Sequence, residues 1–443
     1  MSKIKPRIYK GTRDFLPEQM VRRNYVINII KTVFEKFGFE QLETPTIEMW
    51  ETLSGKYGEE GDRLTYRFTD RGDREVGLRY DLTVPLSRVV AMYPQLPKPF
   101  KRYQIQPVWR ADKPQKGRFR EFYQCDIDTI GSESVLADAE LLAVTSEILT
   151  RLNFPAFKIR INSRKVLTGI VEAAGINPDL ATEIFRAIDK LDKIGQDGVE
   201  NLLKDLAIGD DAVQKILNIL NISGENAERL EKARDGLADS NIGIEGVAEI
   251  EKLVDLLRSF GIPRNNYLFD PCLARGLDYY TGPIFETIVE EPRIGSITGG
   301  GRYDNLIGMF GGNGFPATGS SIGLERIVTV MEELNMFPDW LGTTTEVLVT
   351  VFAEEFLPYS IHITNLLRDS GINTDLYSGN AKLRGQFGLA NDKGIHFVVI
   401  AGPDEQEKQT VNIKNMINGK QESLPLSGLS AYLKQHLSVN KKQ

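Results

Sequence analysis

The chain has 443 residues, 41% hydrophobic and 26% charged, a makeup that implies a globular protein of two or three domains at roughly 100 to 200 residues each. Its formal charge of -7 excludes a protein that coats nucleic acid without selectivity, and the lack of any run of about 18 apolar residues excludes a helix that crosses a membrane. Two distant cysteines, Cys125 and Cys272, signal neither a disulfide framework nor a structural zinc site and leave a cytoplasmic chain with two packed thiols as the expectation.

In chain order, residues 20–37 place Val26, Ile29, Ile30, Val33, Phe34 and Phe37 at helical spacing, with Gly38 as the stop. The extended stretch FEQLETPTIE follows. From residue 77 to 130 the pattern turns to period two with Gly and Pro punctuation, which predicts antiparallel strands. Residues 165–258 return to spacings of three and four with acidic residues between, which predicts a helical insertion. Strand-like, glycine-rich sequence runs from 268 to 323, and GLERIVTVMEEL opens a helix. After LNMFPDWLGTTTE the composition resets. VLVTVFA, INTDLYS and HFVVIAG read as strands with helical stretches at 361–370 and 382–393, so a separate α/β domain is cut at about residue 344.

The chemistry concentrates in the strand region. In EFYQCDIDTI, period two sets Phe122, Gln124, Asp126 and Asp128 on one face and Tyr123, Cys125, Ile127 and Thr129 on the other. In LRYDLTV the same arithmetic groups Arg79, Asp81 and Thr83. An exposed edge explains one such strand; two strands that aim carboxylates from a sheet suggest a cationic ligand such as an α-ammonium group. Between residues 98 and 120 lie Lys98, Lys101, Arg102, Arg110, Lys113, Lys116, Arg118 and Arg120 against one acid, Asp112. This is either a solvated loop or a site for carboxylate and phosphate, where arginine suits bidentate contact. Ammonium, carboxylate and phosphate together describe an amino acid beside a nucleotide. No GxxxxGK[ST] loop is present, and the GxGxxA match at 312–317 lacks a flanking strand and helix and reads as chance. All three histidines follow residue 361, so none acts as base, nucleophile or metal ligand before it.

Three segments in order carry a resemblance. FEKFGFEQLETPTIE resembles motif 1 of the class II aminoacyl-tRNA synthetases, with Pro45 in the motif's proline position. YQIQPVWRADKPQKGRFREFYQCDIDTIG resembles motif 2, and GSSIGLERIV motif 3. LARGLDYYTGPIFE and GGGRYDNL are similar to the two signatures of the histidyl-tRNA synthetases. The resemblance implies an α+β catalytic domain, residues 1–335, on a six-stranded antiparallel sheet. It carries the helical insertion, residues 165–258, and is followed by a C-terminal α/β anticodon-binding domain, residues 344–443. It further implies ATP and Mg²⁺, L-histidine and tRNA(His) as partners, and a homodimer through motif 1. The expected reaction has two steps, histidyl-adenylate formation and transfer to the tRNA 3′ end.

Residue by residue, the resemblance gives Arg110 the substrate carboxylate and α-phosphate, Phe122 the adenine, and Arg326 the terminal phosphate. Asp81, Thr83 and Gln124 surround the α-ammonium group. Asp128 and Tyr280, with Tyr279 beside them, read the imidazole, and Arg275 is a second catalytic arginine. Asp112 stands where motif 2 has a glutamate, one methylene shorter, as a nucleotide-binding residue. Asn305 in GGGRYDNL replaces an expected glycine, a turn substitution that asparagine tolerates. Since the substrate carboxylate is the nucleophile, activation needs positioning and positive charge, not a protein base. Other readings are a regulatory paralogue that binds histidine without activating it, which lacks the anticodon-binding domain and the arginine of RGLDYY; another class II synthetase, against which ARGLDYYTG speaks; and a sensor of uncharged tRNA, known fused to a kinase absent here.

Overall fold

A computed structural model of the chain describes residues 5–115, 117–274, 279–311, 314–338, 341–380 and 382–440. It divides into two units, Met1–Arg13 with Val26–Met336 and Asp14–Tyr25 with Phe337–Gln443. No helix among the described residues is long and apolar enough to cross a membrane.

The strands of the first unit are β1 (Glu40–Gln41), β2 (Ile47–Met49), β3 (Arg67–Thr69), β4 (Glu75–Leu78), β5 (Phe100–Trp109), β6 (Glu121–Ile130), β7 (Lys158–Ser163), β8 (Tyr267–Phe269), β9 (Pro283–Ile288), β10 (Thr298–Arg302) and β11 (Ala317–Gly323). Eight of them form one sheet in the order β1-β5-β6-β11-β10-β9-β7-β8. The six central strands pair antiparallel throughout. The six-stranded expectation therefore describes the centre, and the short edge strands β1 and β8 extend it by parallel pairing. β2, β4 and β3 form a separate three-stranded sheet.

The ten-residue strands β5 and β6 fix the register that matters. Arg102 lies opposite Asp128, Gln104 opposite Asp126, Gln106 opposite Gln124 and Val108 opposite Phe122. Opposed residues point to one side, so these eight share a face. Tyr103, Cys125 and Ile127 are buried on the other face, where Phe34 of the helix Pro17–Lys36 meets Tyr103 with ring centroids 5.5 Å apart.

One expected strand is not a strand. β4 ends at Leu78, and Thr83–Met92 is a helix. Asp81 Oδ1 accepts the Val84 N–H at 3.1 Å, one of the amides a helix start leaves unpaired, and Pro85 sits in the first turn, where its missing N–H costs nothing. Arg79, Asp81 and Thr83 thus share no strand face. Arg79 is fully buried and donates to the carbonyls of Thr44 at 2.7 Å and Pro107 at 2.9 Å, which ties β4 to β5 behind the site.

The region expected as an insertion folds as helices Arg164–Ala173, Ala181–Ile188, Leu191–Asp205, Asp210–Leu220, Asn226–Gly236 and Asn241–Ser259. Gly169 and Gly243 let the first and last of these cross backbone to backbone; a Cβ at Gly169 would collide with Gly243, and one at Gly243 would sit tightly, 3.1 Å from Gly169 Cα. In the second unit β12 (Val347–Val349), β13 (Thr374–Leu376), β14 (Phe397–Ile400), β15 (Thr410–Asn415) and β16 (Gln421–Pro425) order as β13-β12-β14-β15-β16. The first three are parallel and match the expected strands, with helices Leu357–Asp369 and Leu383–Asp392 between them. The antiparallel hairpin β15-β16 and the helices Pro403–Lys408 and Leu429–Asn440 were not expected. β15 carries a readable alternation in Val411 and Ile413, whereas β16 has no β-branched residue to mark it.

Candidate active site

A cavity of about 420 Å³ opens over the face of β6, β10 and β11. Its wall includes Asp81, Thr83, Arg110, Asp112, Phe122, Gln124, Asp128, Tyr279, Tyr280 and Arg326, residues that lie far apart in sequence. Arg275 lies outside the described residues, as do Gly312 and Asn313 of the glycine match.

At the Phe122 end the groups are cationic. Arg110, just past β5, donates Nε to the Tyr80 carbonyl at 3.0 Å and lies over the rings of Tyr80 and Phe122 at 4.2 and 5.1 Å. Stacking and one carbonyl hold the plane of the guanidinium while its other N–H groups stay available. Arg326, in the first turn of the helix Leu324–Glu333, is held by the carbonyls of Ser296 and Gly117. Asp112 has both oxygens in a bidentate pair with Arg118, each contact 2.9 Å. An effect of Asp112 on a nucleotide would therefore pass through Arg118, which also lines the cavity and which sequence reasoning placed only in the basic run. Others of that run are committed elsewhere: Lys101 pairs with Glu140, Arg120 donates to the carbonyls of Asp112 and Lys10, and Arg102 is buried against Asp128. Among the described residues of the run, Arg110 and Arg118 line the cavity, while alternation along β5 sends Lys101 and Arg102 to different sides; Lys116 lies outside the described residues.

The other end is acidic. Asp81 Oδ1 accepts from the Tyr57 hydroxyl at 2.9 Å as well as from Val84, and Oδ2 has no partner. Gln124 Nε2 donates to Ser321 Oγ at 2.8 Å, leaving Oε1 without one. Asp128 accepts from the Tyr303 hydroxyl, and Arg102 Nη2 lies 2.8 Å from its second oxygen, with both side chains buried. Tyr279 and Tyr280 close this end with ring centroids 5.1 Å apart. Burial raises the pKa of Asp81, opposed by the Val84 N–H, Arg110 and Tyr57. Burial likewise raises Asp128, opposed by Arg102 and Tyr303. Asp126, between Gln124 and Asp128, is pushed up to about 7 by burial, with Arg102 opposing and Asp128 adding to the rise. Sequence reasoning set Asp126 on this face without giving it a role; only the register could show that Arg102 is spent on Asp128.

The floor between the ends is nearly bare. Gly299 lies opposite Ser321, and Gly301 opposite Gly319. A Cβ at Gly319 would strike the Asp128 carboxyl, and one at Gly301 would come within 2.7 Å of the Pro283 carbonyl. A Cβ at Gly299 would meet nothing closer than the Phe285 carbonyl at 3.9 Å.

The arrangement can hold a small zwitterion with its cationic part among carboxylates and its carboxylate toward arginines that also face a flat ring. Comparison with known proteins is in keeping with this. A family model described as histidyl-tRNA synthetase matches residues 11–327, and one for an anticodon binding domain matches residues 346–436. A histidine–tRNA ligase of Porphyromonas gingivalis is 44% identical, covering 95% of this chain and 97% of the relative. The crystal structure of histidyl-tRNA synthetase from Nostoc superposes with a TM-score of 0.88 at 33% identity, covering 98% of this chain and 100% of that one. A structure from Bacillus halodurans described as an ATP phosphoribosyltransferase regulatory subunit/histidyl-tRNA synthetase superposes at 0.75 with 25% identity, covering 87% and 97%.

Proposed function

The chain belongs to the histidyl-tRNA synthetase family and ligates histidine to tRNA at the expense of ATP, and from that premise we propose how its residues divide the work. In the first step the histidine carboxylate attacks the α-phosphorus of ATP and pyrophosphate leaves. In the second, a hydroxyl at the tRNA 3′ end takes the histidyl group from the adenylate.

Phe122 stacks the adenine, and Arg110 bridges the substrate carboxylate and the α-phosphate, where negative charge grows in the transition state. A fixed guanidinium there stabilises that charge without reorganising. Arg326 takes the terminal phosphate, and Asp112 acts on the nucleotide by orienting Arg118. Arg275 is assigned a second catalytic charge from the resemblance alone. Asp81 and Gln124 receive the α-ammonium group beside Thr83. Asp128, with Tyr279 and Tyr280, reads the imidazole at the far end of β6, six residues and about 20 Å from Phe122 along the strand. The observation that carries this reading is the polarity of the cavity: stacked, carbonyl-held arginines at one end of β6 and unpartnered buried acceptors at the other.

ATP enters as its Mg²⁺ complex. The ion would offset negative charge on the phosphates; among the described residues no group of three or more His, Cys, Asp or Glu side chains is placed to hold a metal. We take residues 1–335 as the catalytic domain with 165–258 inserted, and residues 344–443 as the anticodon-binding domain for tRNA(His), supported by the two family matches. A homodimer through the motif 1 segment is supported by Ile47, Met49 and Phe68, which lie exposed on one face of the β2-β4-β3 sheet. A tRNA-charging reaction implies the cytoplasm. The test is ATP–pyrophosphate exchange with each of the twenty amino acids: exchange with histidine alone is expected, and exchange with another amino acid, or with none, overturns the reading.

A further inference from the structure

Asp126 stands on β6 with Gln104 opposite on β5 and Ser321 opposite on β11. It is 3% exposed, lines the cavity, and its Oδ1 has no hydrogen-bond partner. A buried carboxylate oxygen without a donor is costly, so this one calls for a donor that the described residues do not supply.

Counting protons shows of what kind. Ser321 has a single hydroxyl hydrogen, and when Asp126 is ionised that hydrogen is available to the carboxylate opposite it on β6. Ser321 Oγ then accepts from Gln124, as it does at 2.8 Å, which leaves Gln124 Oε1 as the amide atom without a partner. Thus Asp126 helps to aim Gln124. Among the described residues around the cavity, Asp81 Oδ2, Gln124 Oε1 and Asp126 Oδ1 are buried acceptors without partners. Asp128 Oδ2 has Arg102 at 2.8 Å, and the Ser320 hydroxyl, also unpartnered, can donate as well as accept. The Thr83 side chain lies beside Tyr279. An α-ammonium group brings three N–H donors and no acceptor.

We propose that Asp126 is the third acceptor for the α-ammonium group of the substrate, completing a set with Asp81 and Gln124. This rests on the placement of histidine proposed above. The groups facing Asp126 are Gln104 and Arg102 from β5, Asp128 on its own strand, Asp81 from the turn after β4, Ser321 from β11 and Tyr280 from the segment before β9. With its pKa pushed up to about 7 by burial, Asp126 is partly protonated in the empty enzyme near neutrality. An arriving cation favours the ionised form, so histidine binding releases a proton and tightens as pH rises from about 6 toward 8.

The test is steady-state exchange kinetics of the full-length enzyme and Asp126→Asn from pH 6 to 8.5, with two competitors. Histidinol keeps the ammonium and the ring; imidazolepropionate keeps the ring and the carboxylate. The variant should raise the histidine KM by about 10-fold or more, as for a hydrogen bond to a charged group, and leave the ATP KM unchanged. It should also lose the part of the pH dependence that the wild type adds to the substrate's own titration. Inhibition by histidinol should weaken and that by imidazolepropionate persist. Equal weakening of both assigns Asp126 to the ring and overturns the proposal, as does an unchanged KM and pH profile. Asp81→Asn, run in parallel, separates the layers: if neither variant weakens histidinol, the placement of histidine itself fails; if only Asp81→Asn does, only the role of Asp126 fails. Should Asp126→Asn not fold, Ser321→Ala reads the same set through the freed Gln124 amide. A rise of a few-fold confined to the histidine KM is expected, and no rise overturns the proposal.

Discussion

The two ends of the cavity solve opposite electrostatic problems by different means. At the Phe122 end, Arg110 and Arg326 are held by backbone carbonyls, and Arg118 by Asp112. Guanidinium groups do not titrate in proteins, so this end is ready for anions at any working pH. At the Asp128 end three buried carboxyls share Arg102, which is committed to one of them. That end is assembled short of donors and is completed only by a ligand. One end is preorganised by the chain; the other holds a deficit shaped like its substrate.

The comparison breaks most sharply at Arg110. Arg110→Ala should lower the rate of histidine-dependent pyrophosphate exchange by roughly 10²- to 10³-fold, at all pH values alike, because it removes charge from the transition state. A loss that appeared only as a higher KM would reassign it to ground-state binding. Arg110→Lys should recover little, since an ammonium neither stacks on Tyr80 nor bridges two anions.

Asp128 should give the next effect. Asp128→Ala should raise the histidine KM by about 10- to 100-fold with the ATP KM unchanged. It should also cost about 3–5 kcal/mol of stability in urea unfolding, because the buried Arg102 loses its ion-pair partner. A histidine KM that did not move would show that Asp128 serves Arg102 and the fold, not the ring.

The smallest effect sharpens the contrast through stability. In the folded apo enzyme Asp126 titrates near 7, above its unfolded value near 4, so between those limits the folded state binds the extra proton and stability falls as pH rises. Asp126→Asn should therefore melt higher than the wild type at pH 8, by a few degrees, with the gap closing toward pH 5. Melting curves without that convergence would mean the carboxyl is not starved of donors. Weaker substrate binding and a firmer apo fold in one variant would mark the deficit as functional.

Much of this was readable from residues. The face of β6 follows from strict alternation over ten residues, and the first helix from its apolar spacing and the stop at Gly38, whose φ is +78°. The helix at Thr83 was misread because LRYDLTV alternates up to its start; Asp81 as a capping group and Pro85 in the first turn were the signals against a strand. Which carboxylate is free was not legible. It depends on Arg102 facing Asp128 rather than Asp126 across β5 and β6, a matter of register that no single segment contains. Arg118 was hidden similarly, since its pairing with Asp112 needs the turn after β5 to close.

The glycine floor carries one more consequence. Gly301 and Gly319 are required by their own neighbours, but the protein would accept a methyl group at Gly299. Packing among the described residues therefore does not account for its bareness. That position acts as a ceiling-height rule for whatever lies across the sheet, set in the backbone rather than by any side chain, and it sorts ligands by thickness before any hydrogen bond sorts them by chemistry.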